Sequence, residues 1–164
     1  MSLTIGIDPG SRITGYGLVE RHGNDIRYVG SGIIRTSAAG PVEGRLLTIK
    51  KELDGVIDRY HPAAVAVEEI FMAKNPKSTL TLGQARGVVL LAAAEAGLPV
   101  FEYTPREVKS CLTGAGGAHK SQVAAMVGRL MRLDHEPETE DETDALAVAF
   151  CHAVRSSGMG GRLA

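Results

Sequence analysis

Four acidic residues in this sequence stand at positions where their side chains could carry out hydrolytic chemistry. Asp8 ends the run "LTIGID", Glu68 lies at the end of "AAVAVEE", and Asp141 and Asp144 belong to "DETDALA". Carboxylate oxygens are the ligands that Mg²⁺ and Mn²⁺ prefer. Four of them gathered around a bridging Asp8 would suit two metal ions and in-line attack of water on a phosphodiester.

The elements around Asp8 and Glu68 are predicted to bring these two side chains together. Each residue ends a short apolar run of strand length. If the two strands are neighbours, both side chains lie at the edge of an open α/β sheet where active sites are usual. An Asp before Pro9 and Gly10 is also a common turn residue. The prediction therefore depends on other carboxylates reaching the same edge.

The second pair of acids is predicted to lie on one face of a helix. Thr139 and Glu142 form a capping-box pattern, which places Asp141 in the first turn and Asp144 one turn later. The ordinary alternative is a solvated acidic helix start. If the helix instead docks over the two strand ends, the four carboxylates converge.

The apolar pattern along the chain predicts an α/β fold with the element order βββ-α-β-α-β-α-α-α. It indicates a single mixed five-stranded sheet with helices on both faces. The first three strands are expected to pair antiparallel, because their links are short and contain Gly. One domain is expected over residues 1–155, with a disordered tail over 156–164. Strands are predicted near 3–8, 14–21, 26–35, 63–69 and 98–103, and helices near 46–60, 76–96, from 104 onward, 119–132 and 141–155.

Composition is that of an ordinary globular protein, with 44% hydrophobic and 23% charged residues among 164. The sequence has no apolar run of membrane-spanning length and no signal pattern, so a cytoplasmic protein is expected. Cys111 and Cys151 are expected to be reduced and structural. The net charge is −1, but the charges are unevenly distributed along the chain. Residues 69–132 contain eight Lys or Arg and four Glu, whereas 134–144 contain seven carboxylates and no Lys or Arg. This favours a phosphate-binding surface beside a metal site, although two solvated faces would give the same pattern.

Several motifs together resemble one known family. The segments are "GIDPGSRITGYG", "VEEIFMAKN", "LGQARGV", "HKSQV" and "DETDALA", in order from about residue 3 to 155. They are very similar to the RuvC family of bacterial Holliday-junction resolvases. The resemblance implies a ribonuclease-H-like fold and a homodimer with two active sites. It also implies two Mg²⁺ (or Mn²⁺) ions per site, no nucleotide cofactor, and a role in DNA recombination and repair with the RuvA–RuvB branch-migration complex. Each site would nick one of two opposed strands of a four-way junction at a short T-rich sequence and leave a 5′-phosphate.

The resemblance also assigns roles to individual residues. The metal-binding acids of the family correspond to the four carboxylates above, although some relatives carry His in place of Asp141. Phe71 corresponds to the aromatic residue that contacts the junction, and Lys109 and Lys120 to functional lysines, with Lys120 counted among the catalytic residues. Apart from the family, Phe71 could stack on a base or belong to the core. The basic residues expected to contact DNA phosphates are Lys74, Lys77, Arg86, Lys109 and Lys120.

Other functions remain to be separated from this one. A nucleotide-binding P-loop in "GAGGAHKS" is excluded, because His119 stands where the pattern requires Gly and no strand precedes the loop. The segment "DPGS" resembles the phosphate loop of sugar-kinase- and actin-like ATPases, which are usually much larger. A non-catalytic junction-binding module would keep Phe71 and the lysines without needing four acids. A ribonuclease-H-like enzyme acting on RNA would use the same acids.

Overall fold

The chain forms five strands and five helices in a computed structural model that describes residues 1–37, 39–69, 75–134 and 137–156. Their order matches the predicted order βββ-α-β-α-β-α-α-α. The strands are β1 (Ser2–Asp8), β2 (Ile13–His22), β3 (Asp25–Arg35), β4 (Ala64–Glu68) and β5 (Val100–Tyr103). The helices are α1 (Val42–Tyr60), α2 (Pro76–Glu95), α3 (Pro105–Thr113), α4 (Lys120–Met131) and α5 (Glu140–Arg155).

The five strands form one mixed sheet in the order β3-β2-β1-β4-β5. β1, β2 and β3 pair antiparallel, while β4 pairs parallel to both β1 and β5. Asp8 is opposite Gly15 in the first hairpin, and Ile7 is opposite Val67 in the parallel pair. The first and fourth strands are therefore neighbours, which meets the condition for bringing Asp8 and Glu68 to one edge of the sheet.

The sheet separates two apolar cores, one on each face. Ile5, Ile7 and Val65 are fully buried in a cluster with side chains of α1 and α2. Ala66 and Leu146 belong to the second cluster, which side chains of α3, α4 and α5 complete. Because successive residues of a strand point to opposite faces, β4 contributes to both cores. The prediction of helices on both faces is confirmed.

Helix α5 packs against the backbone of β1 and β2 because glycines leave room for it. A Cβ atom on Gly15 would overlap the backbone carbonyl oxygen of Asp141. A Cβ on Gly6 would lie 2.8 Å from the Cβ of Ala149, and one on Gly17 would lie 2.6 Å from Leu146 Cδ2. The first turns of α5 are thereby held beside the end of β1.

The helix caps agree with the sequence in two helices and differ in the third. The side chain of Asn75 caps α2, and Thr104 forms the predicted capping box of α3. In α5, Thr139 Oγ1 accepts a hydrogen bond from the Glu142 backbone N–H at 3.2 Å. The Glu142 carboxylate does not return to Thr139; it accepts from the backbone N–H of Glu138 at 2.6 Å. The predicted capping box of α5 is therefore only half formed, because the buried Glu142 side chain turns back toward the preceding loop.

The two cysteines are free, yet they are neighbours in space. The Sγ atoms of Cys111 on α3 and Cys151 on α5 lie 2.9 Å apart. Cys151 is fully buried, in agreement with a structural role. In the predicted tail only residue 156 is described, and 157–164 lie outside the described residues. Over the described ranges, none of the helices combines the length and apolar character that a membrane span requires.

Candidate active site

Asp8 and Glu68 lie at the same edge of the sheet, as their positions in the sequence predict. β1 and β4 run parallel, and each residue directly follows the pair formed by Ile7 and Val67. Both side chains are partly buried. The carboxyl ends of adjacent parallel strands therefore supply two acids to one location.

Helix α5 brings Asp141 and Asp144 to this edge. Asp141 lies against Gly15, and Gly15 is the cross-strand partner of Asp8. Asp144 follows one turn later on the same helix. The sequence prediction that α5 docks its acidic start over the strand ends agrees with this placement.

The pKa of Asp8 reflects both its burial and the charges of the other acids. Burial raises the pKa of Asp8 to about 7, and the charges of Asp144, Asp141 and Glu68 add to the rise in that order. An ordinary Asp has a pKa near 3.9. Burial and Asp144 also raise the pKa of Glu68. The sheet edge is thus a region of strong negative potential, where a cation is favoured.

Lys120 lies beside the acids that helix α5 supplies. Its Nζ lies 3.1 Å from Glu140 Oε2 and 3.6 Å from Asp144 Oδ2. Burial raises the pKa of Asp144, and the positive charge of Lys120 opposes that rise. Hydrogen bonding to Glu140 in turn raises the pKa of Lys120. The ammonium group therefore lies beside the acid cluster and remains accessible, with its side chain 69% exposed.

A small cleft of about 160 Å³ connects the acids with two lysines. Glu68 and Asp144 line it together with Lys109 and Lys120, and apolar residues of α3, α4 and α5 form the rest of its wall. Carboxylates and ammonium groups on one concave surface can bind a cation and a phosphate side by side. The structure therefore brings Lys109 and Lys120 to the predicted site.

The donor set fits hard divalent cations, because all four acids offer oxygen ligands. Burial, and after it the charges of the other three acids, disfavour the ionised form of Asp8, and a bound cation would offset this cost. Within the described parts of the chain, no three His, Cys, Asp or Glu side chains already stand in an arrangement that could hold a metal ion. The ligand set remains a prediction.

Two other residues predicted to bind DNA, Arg86 and Lys77, lie outside the cleft that Glu68 and Asp144 line. Arg86 forms an ion pair with Glu102, N–O distance 2.7 Å, and its Nη1 lies 3.5 Å from the backbone oxygen of Glu68. Its side chain is only 14% exposed, and its contact with the Glu68 backbone stabilises the end of β4 from the interior of the protein. Lys77 lies apart from the acids, in a second cleft at the start of α2. Phe71 and Lys74 lie outside the described residues.

Sequence reasoning missed two residues that shape the site. Glu140 contacts Lys120, and Gly15 allows α5 to reach the strand ends. The signal for Gly15 was present in the spacing of Gly15 and Gly17, which puts two residues without side chains on one face of β2. No comparable pattern singles out Glu140, because it lies within a run of acidic residues.

Comparison with known proteins places the whole chain in one family. The family model described as crossover junction endodeoxyribonuclease RuvC matches residues 4–152. The chain is 50% identical over 153 residues to crossover junction endodeoxyribonuclease RuvC of Histophilus somni, covering 93% of this chain and 80% of that protein. It is 52% identical over 151 residues to the RuvC of Pelotomaculum thermopropionicum, covering 92% of each.

A solved structure agrees with the sequence relatives. RuvC of T. thermophilus in complex with a Holliday junction substrate superposes with a TM-score of 0.91 at 38% identity, covering 98% of this chain and 97% of that one. The similarity confirms the predicted ribonuclease-H-like fold. The acid cluster at the strand edge, the family match and the superposition lead to one conclusion: this chain belongs to the RuvC family of crossover junction endodeoxyribonucleases.

Proposed function

We propose that this protein is a structure-selective endonuclease that resolves four-way (Holliday) DNA junctions in recombination and repair. The observation that carries the proposal is the acid cluster around Asp8, whose pKa is raised to about 7 by burial and three further carboxylates. Membership of the RuvC family and the superposition on a junction-bound relative support the substrate. Each active site would nick one of two opposed strands and leave a 5′-phosphate.

Asp8, Glu68, Asp141 and Asp144 are the residues proposed to hold two Mg²⁺ ions, with Mn²⁺ as a substitute. When bound, the ions would supply activation of water and neutralisation of charge on the phosphodiester. Asp8 is partly buried, and the charges of Asp144, Asp141 and Glu68 act on it, so a bound cation would be favoured beside it. Asp8 is therefore proposed as the ligand shared by both ions.

Lys120 is proposed to act on the scissile phosphate. Its ammonium group is exposed beside Asp144 and in the same cleft as Lys109. Such a cation offers hydrogen bonds to phosphate oxygens and stabilises their charge. The other DNA-binding residues proposed are Phe71, Lys74, Lys77 and Arg86, of which Arg86 would have to leave its ion pair with Glu102 to reach a phosphate.

A homodimer is the proposed assembly, with α2 in the two-fold interface. Leu80 and Leu91 on this helix are 66% and 52% exposed. Exposed leucines on an Ala-rich helix favour contact with a second protein surface. The nuclease domain is proposed to span 1–155, with 156–164 as a tail. The proposed location is the cytoplasm, with the RuvA–RuvB branch-migration complex as partner.

The proposal is tested with purified protein and three substrates of equal sequence: a synthetic four-way DNA junction, a linear DNA duplex and an RNA–DNA hybrid. Reactions contain Mg²⁺ or EDTA. Paired symmetric nicks in the junction alone, only with Mg²⁺, are the expected result. Cleavage of the hybrid would favour the RNA nuclease, and junction binding without cleavage would favour a non-catalytic binding module.

A further inference from the structure

A second cleft, which none of the four acids lines, has the composition of an anion-binding site. It has a volume of about 410 Å³ and lies between the turn that follows β1, the start of α1 and the start of α2. Its wall includes Ser11, Arg12, Arg45, Lys77 and Ser78. We refer to it as the basic cleft. Thr81 also lines it, so three cations and three hydroxyl groups from three separate elements meet on one concave surface.

In the described part of the chain, no acidic side chain balances the positive charge of the basic cleft. No Asp or Glu belongs to its wall as far as the chain is described. Among the described residues, Arg12, Arg45 and Lys77 form no ion pair. The Nε of Arg45 is buried and finds no hydrogen-bond acceptor in the described structure. A buried donor without an acceptor costs about 1–3 kcal/mol, so an external acceptor would be favoured here.

Hydrogen bonds hold the walls of the basic cleft in place. Thr36 Oγ1 donates to the Ser11 carbonyl oxygen at 2.6 Å, and the Thr36 backbone N–H donates to the Arg12 carbonyl oxygen at 3.0 Å. The Asn75 side chain accepts from the Lys77 backbone N–H at 3.0 Å. These bonds fix the loop of Ser11 and Arg12 against the end of β3 and fix the first turn of α2. The backbone that carries these side chains is thereby held in place, which lowers the entropic cost of binding.

The basic cleft lies close to the acid cluster along the chain. Arg12 follows Asp8 by four residues, which limits the distance between their Cα atoms to about 14 Å even if the chain were fully extended. The actual chain is shorter, because Thr14 Oγ1 bonds both the N–H and the carbonyl oxygen of Gly10 and closes a turn. Phosphates along one DNA strand repeat every 3.4 Å or so of helix axis. The two sites are therefore close enough for one DNA strand to reach both within a few nucleotides.

We propose that the basic cleft binds a backbone phosphate of the DNA strand that is being cut, a few nucleotides from the scissile bond. Arg12 and Arg45 are its principal ligands, and Ser11 and Lys77 complete the site. The inference rests on the proposed function, because it takes the cut strand to pass Asp8. Its role is to fix the register of the strand relative to the acid cluster.

The test compares two doubly substituted full-length proteins that lose the same charge. Arg12→Gln with Arg45→Gln removes the cleft cations, and Lys51→Gln with Arg59→Gln removes two cations from α1 outside the cleft. Junction affinity is measured by fluorescence anisotropy in EDTA over a series of salt concentrations. The cleft variant should bind more weakly at low salt, and its slope of log affinity against log salt should fall by about 0.7–0.9, the loss of one phosphate contact. The control variant should keep the wild-type slope.

A single variant, Lys77→Gln, guards against a folding defect in the cleft variant, since Lys77 is exposed. It should also weaken junction binding, by less than the double substitution. A cleft variant that folds and has the slope of the control contradicts the inference. If wild-type protein still cleaves the junction in Mg²⁺, the proposed function then stands. If wild-type protein neither binds nor cleaves the junction, both the proposed function and the inference are wrong.

Titration with inorganic phosphate distinguishes a strand-binding site from a site for free anions. The ¹⁵Nε–H NMR signal of Arg45 reports on the buried donor directly. A shift of that signal with a single-stranded oligonucleotide at micromolar concentration supports the proposal. A shift with inorganic phosphate but none with the oligonucleotide overturns it.

Discussion

Gly15 lies directly against the backbone carbonyl of Asp141, at the same point of β2 where Gly15 pairs with Asp8 across the hairpin. One residue without a side chain therefore joins the strand that ends in Asp8 to the helix that begins with Asp141. The spacing of two predicted metal ligands is set by this backbone contact.

Replacement of Gly15 by Ala should destabilise the fold and disturb the site together. The added Cβ would overlap the Asp141 carbonyl oxygen, so α5 must move away from β2. Overpacking of this kind costs about 1–3 kcal/mol in the free energy of unfolding. Urea denaturation measures the loss, and junction cleavage by the folded fraction should fall as well. Gly55→Ala is the control, because no atom lies within 4 Å of its added Cβ; equal stability of both variants would contradict the packing described for α5.

Replacement of Asp8 by Asn should stabilise the metal-free protein at high pH. The pKa of Asp8 is raised to about 7 in the fold, whereas an unfolded Asp has a pKa near 3.9. Below pH 4 the carboxyl is neutral in both states, and its penalty is absent. Between about pH 4 and pH 7 the carboxyl is ionised in the unfolded chain and still protonated in the fold, so the wild type progressively loses stability relative to the variant. The loss reaches the order of a few kcal/mol and stops growing above about pH 7, where the carboxyl is ionised in both states.

The measurement is urea denaturation of both proteins in EDTA between pH 4 and pH 8. The difference in unfolding free energy should grow with pH and level off above 7. Asp25→Asn is the matched control, since Asp25 is exposed and Arg27 lowers its pKa. A pH-independent difference between Asp8→Asn and wild type would contradict the raised pKa.

The N-cap of α5 should raise the free energy of unfolding and keep the first, acidic turn of the helix ordered. Thr139 Oγ1 accepts from the Glu142 N–H, so Thr139→Ala leaves that donor without its partner. The expected loss in unfolding free energy is about 0.5–2 kcal/mol, with faster amide exchange in residues 140–144. Thr139→Ser keeps the hydroxyl and should restore wild-type exchange. An alanine variant with unchanged exchange would show that the cap does not order this turn.

Loss of the Lys120 charge should raise the pKa of its acidic neighbours further. Lys120 lowers the pKa of both Asp144 and Asp8 against the effect of burial. In Lys120→Gln the carboxylate forms lose this stabilisation, so both groups should titrate at higher pH than in wild type. Carboxyl ¹³C NMR in EDTA reports each titration. Lys51→Gln, which removes an exposed lysine of α1, should leave them unchanged; equal titration curves for Lys120→Gln and wild type would place Lys120 away from the acids.

The sequence predicts the order of elements well because the local signals are strong. Pro76 after Asn75 and the Thr104 capping box mark helix starts that the structure confirms. The strand-end position of Glu68 was visible in the same way, because an apolar run stops there. Adjacency of the first and fourth strands was only a condition in the sequence, and the pairing of Ile7 with Val67 establishes it.

The sequence does not predict contacts between elements that are far apart along the chain. The proximity of Cys111 and Cys151 arises from the packing of α3 on α5, which no local pattern encodes. The same is true of the ion pair between Arg86 and Glu102 and of the place of Arg45 in the basic cleft. Charged residues look alike in a sequence, and only the packed structure shows which of them are already paired.

The most direct test of the account is junction cleavage by Asp8→Asn compared with wild type. Both proteins are incubated with a four-way DNA junction in Mg²⁺, and binding is measured in parallel in EDTA. Asp58→Asn, an exposed acid on α1, serves as the control for loss of one carboxylate. The account predicts that Asp8→Asn binds the junction at least as tightly as wild type and makes no nicks, while Asp58→Asn nicks both opposed strands. Nicking by Asp8→Asn at the wild-type rate would contradict the assignment of the acid cluster as the nuclease centre.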